Sequence, residues 1–320
     1  MKFLLLTFGT AVLLAAVASA FTAPTSQRSQ VAVQSAYSTS TITTTSLYSS
    51  TGVLEDAASA FMQGPRIIRD EVPIVYVYDH CPYCVRVRLA LGVKNVKHNV
   101  VFLQNDDIPT PTKLIGKKIA PIFSIPEDDN VIMGESLDII TKVDSEERYG
   151  KTGQILPSTS RTDIKEWQKS VQSLLRTLQR PRYVATGLLP EFQQIDGRHA
   201  FIKNHQLPPY EKLEWKGDGT TTNPGMEMNE KLHFYATAMA TDPTPLLKEL
   251  NAKLVELNEL VFSEYYCSNV GGVSMDDIDL WSRLRSITIV KDIVWPDKLW
   301  KYMTHFSALG DVPMYDRMAL

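Results

Sequence analysis

The chain has 320 residues, of which 44% are hydrophobic, and its formal net charge at pH 7 is −3. This length accommodates two domains with real cores and an extension, and so small a charge does not point to a nucleic acid or an anionic membrane as partner. The three cysteines cannot form a disulfide framework for a chain of this size, which favours a reducing compartment.

The N-terminal part of the chain has the composition of two targeting segments. A basic residue, an apolar run and a small-residue cleavage pattern make residues 1–20 typical of a secretory signal peptide. Residues 21–52 are rich in Ser and Thr and contain no acidic residue, which is typical of a transit peptide. Neither segment is expected in the folded mature protein.

The two segments in tandem, with Phe21 directly after the small residues, resemble the bipartite plastid presequences of algae with complex plastids, such as diatoms. The resemblance implies import into the plastid stroma, and no membrane association is expected for the mature form. The alternative is secretion of a protein with a Ser/Thr-rich N-terminal linker. A C-x-x-C that works in its reduced form argues against secretion.

A strand, a tight junction and a helix start follow a lead-in over residues 53–73. Residues 74–78 are β-branched or aromatic and predict a strand, and the junction after them reads Cys81-Pro82-Tyr83-Cys84. Pro82 suits the first helical turn because it has no N–H to leave unpaired. A helix that begins here points its free N–H groups and the positive end of its dipole at Cys81, which favours the thiolate.

Arg86 and Arg88 are expected to add positive potential near this thiol. Thiols in such settings have pKa values of roughly 3.5 to 7.5 instead of about 8.5. Cys84 lies one turn further into the helix, predicted over residues 84–93, and should be more buried. We therefore assign Cys81 as the attacking thiol and Cys84 as the resolving one.

The segment that follows has the pattern of a βαβ unit and a hairpin. Pro121, directly before an apolar strand, is a candidate cis-proline, and the backbone of Ala120 before it would then face the thiol pocket, free to bind an extended ligand. Ser136 is the predicted N-cap of the next helix. The predicted elements are a strand over 97–102, a helix over 110–115, strands over 123–125 and 131–133 around the polar 126–130, and a helix through 143.

Beyond about residue 150 the pattern becomes helical. Ser274 and Asp277 have the spacing of a capping box, and the Leu residues at 250, 254 and 257 share one helical face with Val261. The predicted helices cover 161–180 (ending at Pro181), 188–204 (weaker), 275–291, and the stretch from Pro296 to about 308; the Pro/Gly/Thr-rich insert 207–229 is interpreted as a loop.

Several residues allow two interpretations. A zinc site would need two further close Cys or His ligands, so the C-x-x-C favours redox chemistry and no metal is expected; Cys267 is interpreted as a packed or loop thiol. His80 is either a base for Cys81 or a solvated turn histidine, and the second is favoured. Lys117 and Lys118 are interpreted as a solvated pair, with contact of Lys118 to a ligand carboxylate as the alternative.

The segment 78–84 closely resembles the active site of the glutaredoxin-2 type, the large glutaredoxins built like glutathione transferases. The similarity continues through 105–107, 110–112, 121–122 and 135–139, and it returns at 276–278 and 295–296. It implies an α/β thioredoxin-like N-terminal domain over residues 74–146 and an all-α glutathione-transferase-like C-terminal domain over 155–320, in which the insert at 207–229 has no obvious counterpart.

The same resemblance implies the roles of the site residues. Cys81 attacks and Cys84 resolves, as the chemistry of the motif also indicates. The backbone of Ala120, before Pro121, pairs with the cysteinyl part of glutathione. Glu135 and Ser136 hold its γ-glutamyl end; without this role they would simply be the start of a helix. The Glu135 carboxylate can bind the ammonium of the ligand, and Ser136 with the helix N-terminus can bind the carboxylate of the ligand. Tyr83 and Lys118 complete the predicted glutathione-binding set.

The expected activity is that of a glutathione-dependent thiol–disulfide oxidoreductase. It would act as a monomer on protein disulfides and glutathionylated proteins, with glutathione as co-substrate. One alternative is a glutathione transferase or dehydroascorbate reductase on the same fold. Another is a non-catalytic protein that holds an iron–sulfur cluster between two chains through Cys81 and glutathione, although Pro82 in the motif argues against a cluster.

Overall fold

The computed structural model describes residues 72–125 and 131–320. The predicted signal peptide, the transit-peptide-like segment, most of the lead-in and the tip of the predicted hairpin at 126–130 lie outside these residues.

Within that part of the chain, the N-terminal domain consists of β1 (Ile74–Val77), α1 (Pro82–Val93), β2 (Asn99–Phe102), α2 (Pro109–Ile115), β3 (Ile122–Ser124), β4 (Ile132–Gly134) and α3 (Ser136–Ser145). The sheet has the order β2–β1–β3–β4. β2 is parallel to β1, whereas β3 is antiparallel to both β1 and β4. The predicted α/β thioredoxin-like fold is confirmed.

The centre of this domain is built by β1 and α1. Val75 and Val77 of β1 are fully buried and alternate with half-buried residues, as expected for a strand covered on one face. α1 is buried along most of its length, because it packs against α3 in its own domain and against two helices of the C-terminal domain. The helix that begins at the thiol motif is therefore shared by both domains.

The C-terminal domain is all-α in the residues described, as predicted. Its helices are α4 (Thr162–Thr186), α5 (Ile195–Asn204), α6 (Lys212–Lys216), α7 (Met228–Ala240), α8 (Thr244–Leu260), α9 (Met275–Leu284) and α10 (Asp297–Gly310). Short 3₁₀ turns lie at Glu147–Tyr149, Pro190–Phe192, Arg285–Ile289 and Asp316–Met318. No helix in the described ranges is long and apolar enough to cross a membrane.

α1 meets α10 at a close backbone approach. A Cβ atom added to Gly92 would collide with the carbonyl group of Gly310, and one added to Gly310 would collide with Leu89. Only residues without a Cβ allow the two helices this distance. The contact holds the C-terminal end of α1 against the helical domain.

The prediction that the first long helix ends at Pro181 is wrong, because α4 continues through this proline to Thr186. A proline inside a helix loses one backbone hydrogen bond and costs about 3 kcal/mol. The turn that follows buries Tyr183 and Val184, and the packing of these side chains outweighs the local cost. The helix stops instead at Gly187, whose φ of 62° is left-handed.

Other helix boundaries also differ from the prediction. Ser136 is the first residue of α3, and the N-cap position belongs to Glu135, with a φ of 67°. The helix predicted over 275–291 ends at Leu284 and continues as a 3₁₀ turn from Arg285, whose side chain is held by the N-terminal domain.

The capping box of Ser274 and Asp277 is confirmed. Pro296 is the N-cap of the last helix, one residue outside its predicted position. The weak helix predicted over 188–204 is a 3₁₀ turn followed by α5.

The insert 207–229 is not the simple loop that was predicted, because it contains α6. Glu211 and Glu214 form a capping box at the start of this helix. Trp215 within it is fully buried, and its Nε1 donates a hydrogen bond to the Ile202 carbonyl at 2.7 Å. One turn of helix is too short to show a periodic pattern, so only the tertiary contacts of Trp215 reveal that the insert is anchored.

Candidate active site

The two thiols lie where β1 ends and α1 begins. Cys81 occupies the N-cap of α1 in an extended conformation, and Pro82 is the first helical residue, as predicted. Cys81 is half-buried, whereas Cys84 is fully buried. The Cys84 Sγ accepts a hydrogen bond from the backbone N–H of Tyr78 at 3.4 Å. The sequence therefore located the junction and the greater burial of Cys84 correctly.

The two thiols have opposite acid–base behaviour. The pKa of Cys81 is lowered to about 6, first by a hydrogen bond from the Cys84 thiol; burial opposes this, and the charge of His80 and the backbone N–H groups of Cys84 and Tyr83 lower it further. Burial and the hydrogen bond to Cys81 raise the pKa of Cys84 well above its usual value. At pH 7 the pair thus holds a thiolate at Cys81 and a thiol at Cys84.

The expectation that Arg86 and Arg88 supply the positive potential at Cys81 is confirmed only in part. Burial lowers the pKa of Arg86, but the charge of Cys81 acts to raise it, so these two groups attract each other. Arg86 forms an ion pair with Asp279 of α9, and Arg88 forms one with Asp79. Both guanidinium groups are therefore largely neutralised by carboxylates. Among charged side chains, His80 makes the largest contribution to the low pKa of Cys81.

His80 is not the solvated turn histidine that was favoured from the sequence, because its side chain is only 13% exposed. Its Nδ1 lies 2.6 Å from Oε1 of Glu191, and its backbone N–H donates to the same oxygen at 2.8 Å. The ring also packs against Tyr183, Phe192 and Phe201. Glu191 is fully buried and belongs to the helical domain, so sequence position gave no indication of this pair.

Asp79, two residues before Cys81, is the centre of a buried polar cluster. Both its carboxylate oxygens lie 3.1 Å from Nη2 of Arg285, Arg88 pairs with Oδ1, and the Tyr315 hydroxyl donates to Oδ2 at 2.8 Å. Burial acts to raise the pKa of Asp79, but the charges of Arg285 and Arg88 outweigh it and hold the pKa below its ordinary value. The cluster ties the thiol loop to the C-terminal domain.

The register of the sheet places the predicted glutathione-binding residues at the thiol end of the sheet. Ile122 of β3 pairs with Tyr76 of β1 and with Gly134 of β4. Because β3 is antiparallel to both neighbours, the residues just before β3 and just after β4 extend beyond the end of β1 that leads to the thiols. These residues are Ala120, Pro121, Glu135 and Ser136.

The peptide bond between Ala120 and Pro121 is cis, as predicted. Ser136 is buried at the start of α3. The side chain of Glu135 is 59% exposed, and its Oε1 lies 3.6 Å from Nζ of Lys117. An exposed carboxylate, a hydroxyl and a helix start are therefore together at this edge, although their role in binding stays a prediction.

The remaining predicted residues are also near the surface. Lys117 and Lys118 are exposed, as expected for a solvated pair, but each has a carboxylate partner: Glu135 for Lys117 and Asp106 for Lys118. Tyr83 is 50% exposed, with the guanidinium of Arg86 4.9 Å from its ring centroid. Cys267 is buried, and burial raises its pKa to about 12, which agrees with a packed thiol.

A cavity of about 360 Å³ opens beside Cys81, away from the sheet-edge residues, none of which lines it. It lies between the thiol loop and the helical domain, where α4 provides the largest part of its wall. The end of α5 and α9 with the following 3₁₀ turn provide the rest. Cys81 and Tyr83 form part of its lining. A molecule in this cavity would therefore be in reach of the exposed thiol.

Sequence reasoning missed Glu191, Arg285 and Tyr315. Arg285 lies in the helix predicted over 275–291. The apolar residues of this stretch fall on more than one helical face, so an arginine within it could have been recognised as a buried charge that needs a partner. Nothing in the local sequence distinguishes Glu191 or Tyr315, which are brought to the thiol loop only by the packing of the two domains.

The fold and the two thiols define a thioredoxin-fold dithiol protein with an all-helical second domain. Residues 75–151 match the family described as glutathione S-transferase, N-terminal domain, and residues 226–319 match glutaredoxin 2, C terminal domain. Glutaredoxin 2 of Escherichia coli strain K12 is 30% identical over 251 residues, which are 77% of this chain and 99% of the relative. The chain belongs to the glutaredoxin 2 family.

A solved structure agrees with this assignment. Glutaredoxin 2 of Salmonella typhimurium, in complex with glutathione, is 29% identical to this chain with a TM-score of 0.61. The match covers 78% of this chain and 100% of that one.

The buried cluster at Asp79 predicts a large effect of Arg285→Met on stability. The variant should lower the free energy of unfolding by about 3–5 kcal/mol, because it leaves a buried carboxylate without its main partner. Urea denaturation followed by tryptophan fluorescence measures the change. Lys301→Met, which removes an exposed pair with Glu264, is the control and should change stability little; equal losses in both variants would contradict the importance of the buried pair.

The acid–base behaviour of Cys81 predicts a specific pH profile of alkylation. Its reaction with iodoacetamide should rise with pH around a midpoint near 6, because only the thiolate reacts. Cys84→Ala should move the midpoint upward, since it removes the largest stabilising contact, whereas Cys267→Ser should not move it. A midpoint of about 8.5, the value of an ordinary thiol, would show that the site does not activate Cys81.

Proposed function

We propose that this protein is a glutathione-dependent thiol–disulfide oxidoreductase that reduces protein disulfides and protein–glutathione mixed disulfides through Cys81. The observation that carries the proposal is the pairing of a half-buried Cys81, whose pKa is lowered to about 6, with a buried Cys84 thiol one helical turn away. Membership of the glutaredoxin 2 family and the glutathione complex of the Salmonella relative support glutathione as the co-substrate.

The cycle for a protein disulfide has two exchange steps. The Cys81 thiolate attacks one sulfur, forms a mixed disulfide with it and displaces the other as a thiolate. Cys84 then loses its proton and attacks Cys81, which releases the reduced substrate and leaves a Cys81–Cys84 disulfide. Two glutathione molecules supply the two electrons that restore the dithiol, and they leave as glutathione disulfide.

A glutathionylated protein needs only Cys81. The thiolate takes the glutathionyl group and displaces the protein thiolate. A second glutathione then attacks the glutathionyl sulfur, forms glutathione disulfide and returns Cys81 as a thiolate. Cys84 takes no part in this cycle beyond the hydrogen bond that it donates.

The lowered pKa of Cys81 favours its release more than its attack. A fall from about 8.5 to about 6 raises the thiolate fraction at pH 7 about thirty-fold, while a Brønsted coefficient near 0.5 reduces its nucleophilicity about eighteen-fold. Attack therefore gains less than about twofold. A thiol of low pKa is a better leaving group, so the site is suited to passing a thiol adduct onward.

We propose that glutathione binds at the sheet edge beside the thiols. The backbone of Ala120, before Pro121, would pair with its cysteinyl part, and Glu135 and Ser136 would hold the γ-glutamyl end. The common position of these residues at one end of the sheet supports the proposal. Tyr83 at the surface and Lys118, which exchanges Asp106 for a ligand carboxylate, complete the set.

Two cysteine variants test the proposed activity. Cys81→Ser should abolish turnover of a small glutathionylated disulfide, because the attacking sulfur is gone. Cys84→Ser should retain it but lose the reduction of protein disulfides that need the second thiol. Both activities are measured by coupling glutathione disulfide formation to a reductase. Full activity of Cys81→Ser would contradict the proposal, and Cys267→Ser serves as the matched control.

We propose the plastid stroma as the location of the mature protein. The tandem arrangement of residues 1–20 and 21–52, with Phe21 at the start of the second segment, supports this location. Residues 1–52 fused to a fluorescent protein should direct it into the plastid of a diatom cell, and Phe21→Ala should reduce that import. Secretion of both fusions would favour the alternative of a secreted protein.

A further inference from the structure

The cavity beside Cys81 adjoins the proposed glutathione site but extends away from the sheet edge. Its lining among the described residues includes Cys81 and Tyr83 but none of Ala120, Pro121, Glu135 or Ser136. A mixed disulfide has two halves on either side of its sulfur pair. If glutathione occupies the sheet edge, the cavity between the thiol loop and α4 is where the other half lies.

Apart from the reacting thiolate of Cys81, the lining of this cavity carries positive charge and no negative charge. Among the described residues that line it there are three arginines and neither aspartate nor glutamate. Arg283 lies 3.3 Å from the carboxylate of Asp279, which it shares with Arg86. Arg176 and Arg180 have no carboxylate within ion-pair distance in the described part of the chain, so their charges are uncompensated.

The two arginines also repel each other. Arg180 donates a hydrogen bond to the Gln206 carbonyl. This bond pairs one N–H group of the guanidinium but does not neutralise its charge. Burial lowers the pKa of Arg180, and the like charge of Arg176 lowers it further. A bound anion would relieve both effects, since it would compensate the charge that burial and repulsion disfavour.

The rest of the wall strengthens an interaction with an anion. Apolar and aromatic side chains exclude water and reduce the local dielectric, so that charges act over a longer range than at the open surface. Glutamine side chains on α4 add neutral hydrogen-bond donors. The apolar and aromatic side chains of the helical domain are those of Trp167, Val171, Leu175, Tyr183, Phe201, Leu284 and Ile287, and the glutamines are Gln168, Gln172 and Gln179.

We infer that this cavity selects disulfide substrates whose non-glutathione half carries carboxylates, and that Arg176 and Arg180 determine the selectivity. The inference rests on the proposed function. The volume of about 360 Å³ lies at the lower end of small-ligand pockets, which measure about 300–1,000 Å³. It accommodates a few side chains and excludes a folded domain, so the substrate is an acidic segment next to a glutathionylated cysteine on a protein surface.

The two arginines act on binding and on release of the leaving group. When the Cys81 thiolate attacks the glutathionyl sulfur, the sulfur–sulfur bond breaks and the peptide cysteine departs as a thiolate into the cavity. The positive potential there stabilises this new negative charge together with the flanking carboxylates. A second glutathione then removes the glutathionyl group from Cys81 as glutathione disulfide, so the electrons balance.

Three glutathionylated peptides of equal length test the selectivity: one flanked by glutamates, one by lysines and one by serines. The wild-type protein should show kcat/KM at least about tenfold higher for the acidic peptide than for the basic one, and the ratio should fall as ionic strength rises. In Arg176→Gln the ratio of acidic to basic peptide should fall several-fold, and in the double variant with Arg180→Gln it should fall about tenfold.

Arg176→Lys keeps the charge and should restore most of the acidic preference, whereas Arg317→Gln, an exposed arginine outside the cavity, should leave all three ratios unchanged. Arg176 is half-exposed, so its single variant should fold normally. This variant also leaves intact the hydrogen bond that Arg180 donates to Gln206. Equal kcat/KM values for acidic and basic peptides, or an unchanged ratio in Arg176→Gln, would overturn the inference. Absence of turnover with every peptide would overturn the proposed function itself, so the two failures are distinguishable.

Discussion

The buried carboxylate of Asp79 is the constraint on which the site depends. A charge removed from water needs partners that compensate for its lost hydration. The partners of Asp79 are Arg88 of α1 and Arg285 and Tyr315 of the helical domain. Because Asp79 stands two residues before Cys81, these bonds fix the loop that carries the attacking thiol. The helical domain is therefore part of the site as well as its support.

The chemistry of the dithiol combines local and distant contributions. The helix start and the hydrogen bond from Cys84 act within one turn of Cys81 and lower its pKa. Both effects depend only on the residues of this junction. The charge at His80 adds to them, but the position of that ring depends on Glu191, which is buried in the other domain. The reactivity of the thiol is thus set by its own helix and adjusted by a remote carboxylate.

The surroundings of Cys81 are asymmetric. On one side, an exposed glutamate, a buried serine and a helix start lie at the sheet edge, which is chemistry suited to a zwitterionic ligand. On the other side, a cavity with uncompensated arginines faces the helical domain. A mixed disulfide is also asymmetric, with glutathione at one sulfur and a protein at the other. The sheet edge suits the glutathione half, and the cavity suits the protein half.

The sequence by itself determined the features that depend on neighbouring residues. It located Cys81 at a helix start and the proline after Ala120 in the cis form, because backbone rules and short-range patterns decide both. Tertiary structure alone decided the partners of His80 and Asp79 and the burial of Trp215 in the insert. His80 and Asp79 pair with residues that are distant in the chain, and Trp215 lies in a helix too short to show a periodic pattern. Their burial follows from the packing of whole domains, which local sequence patterns do not reveal.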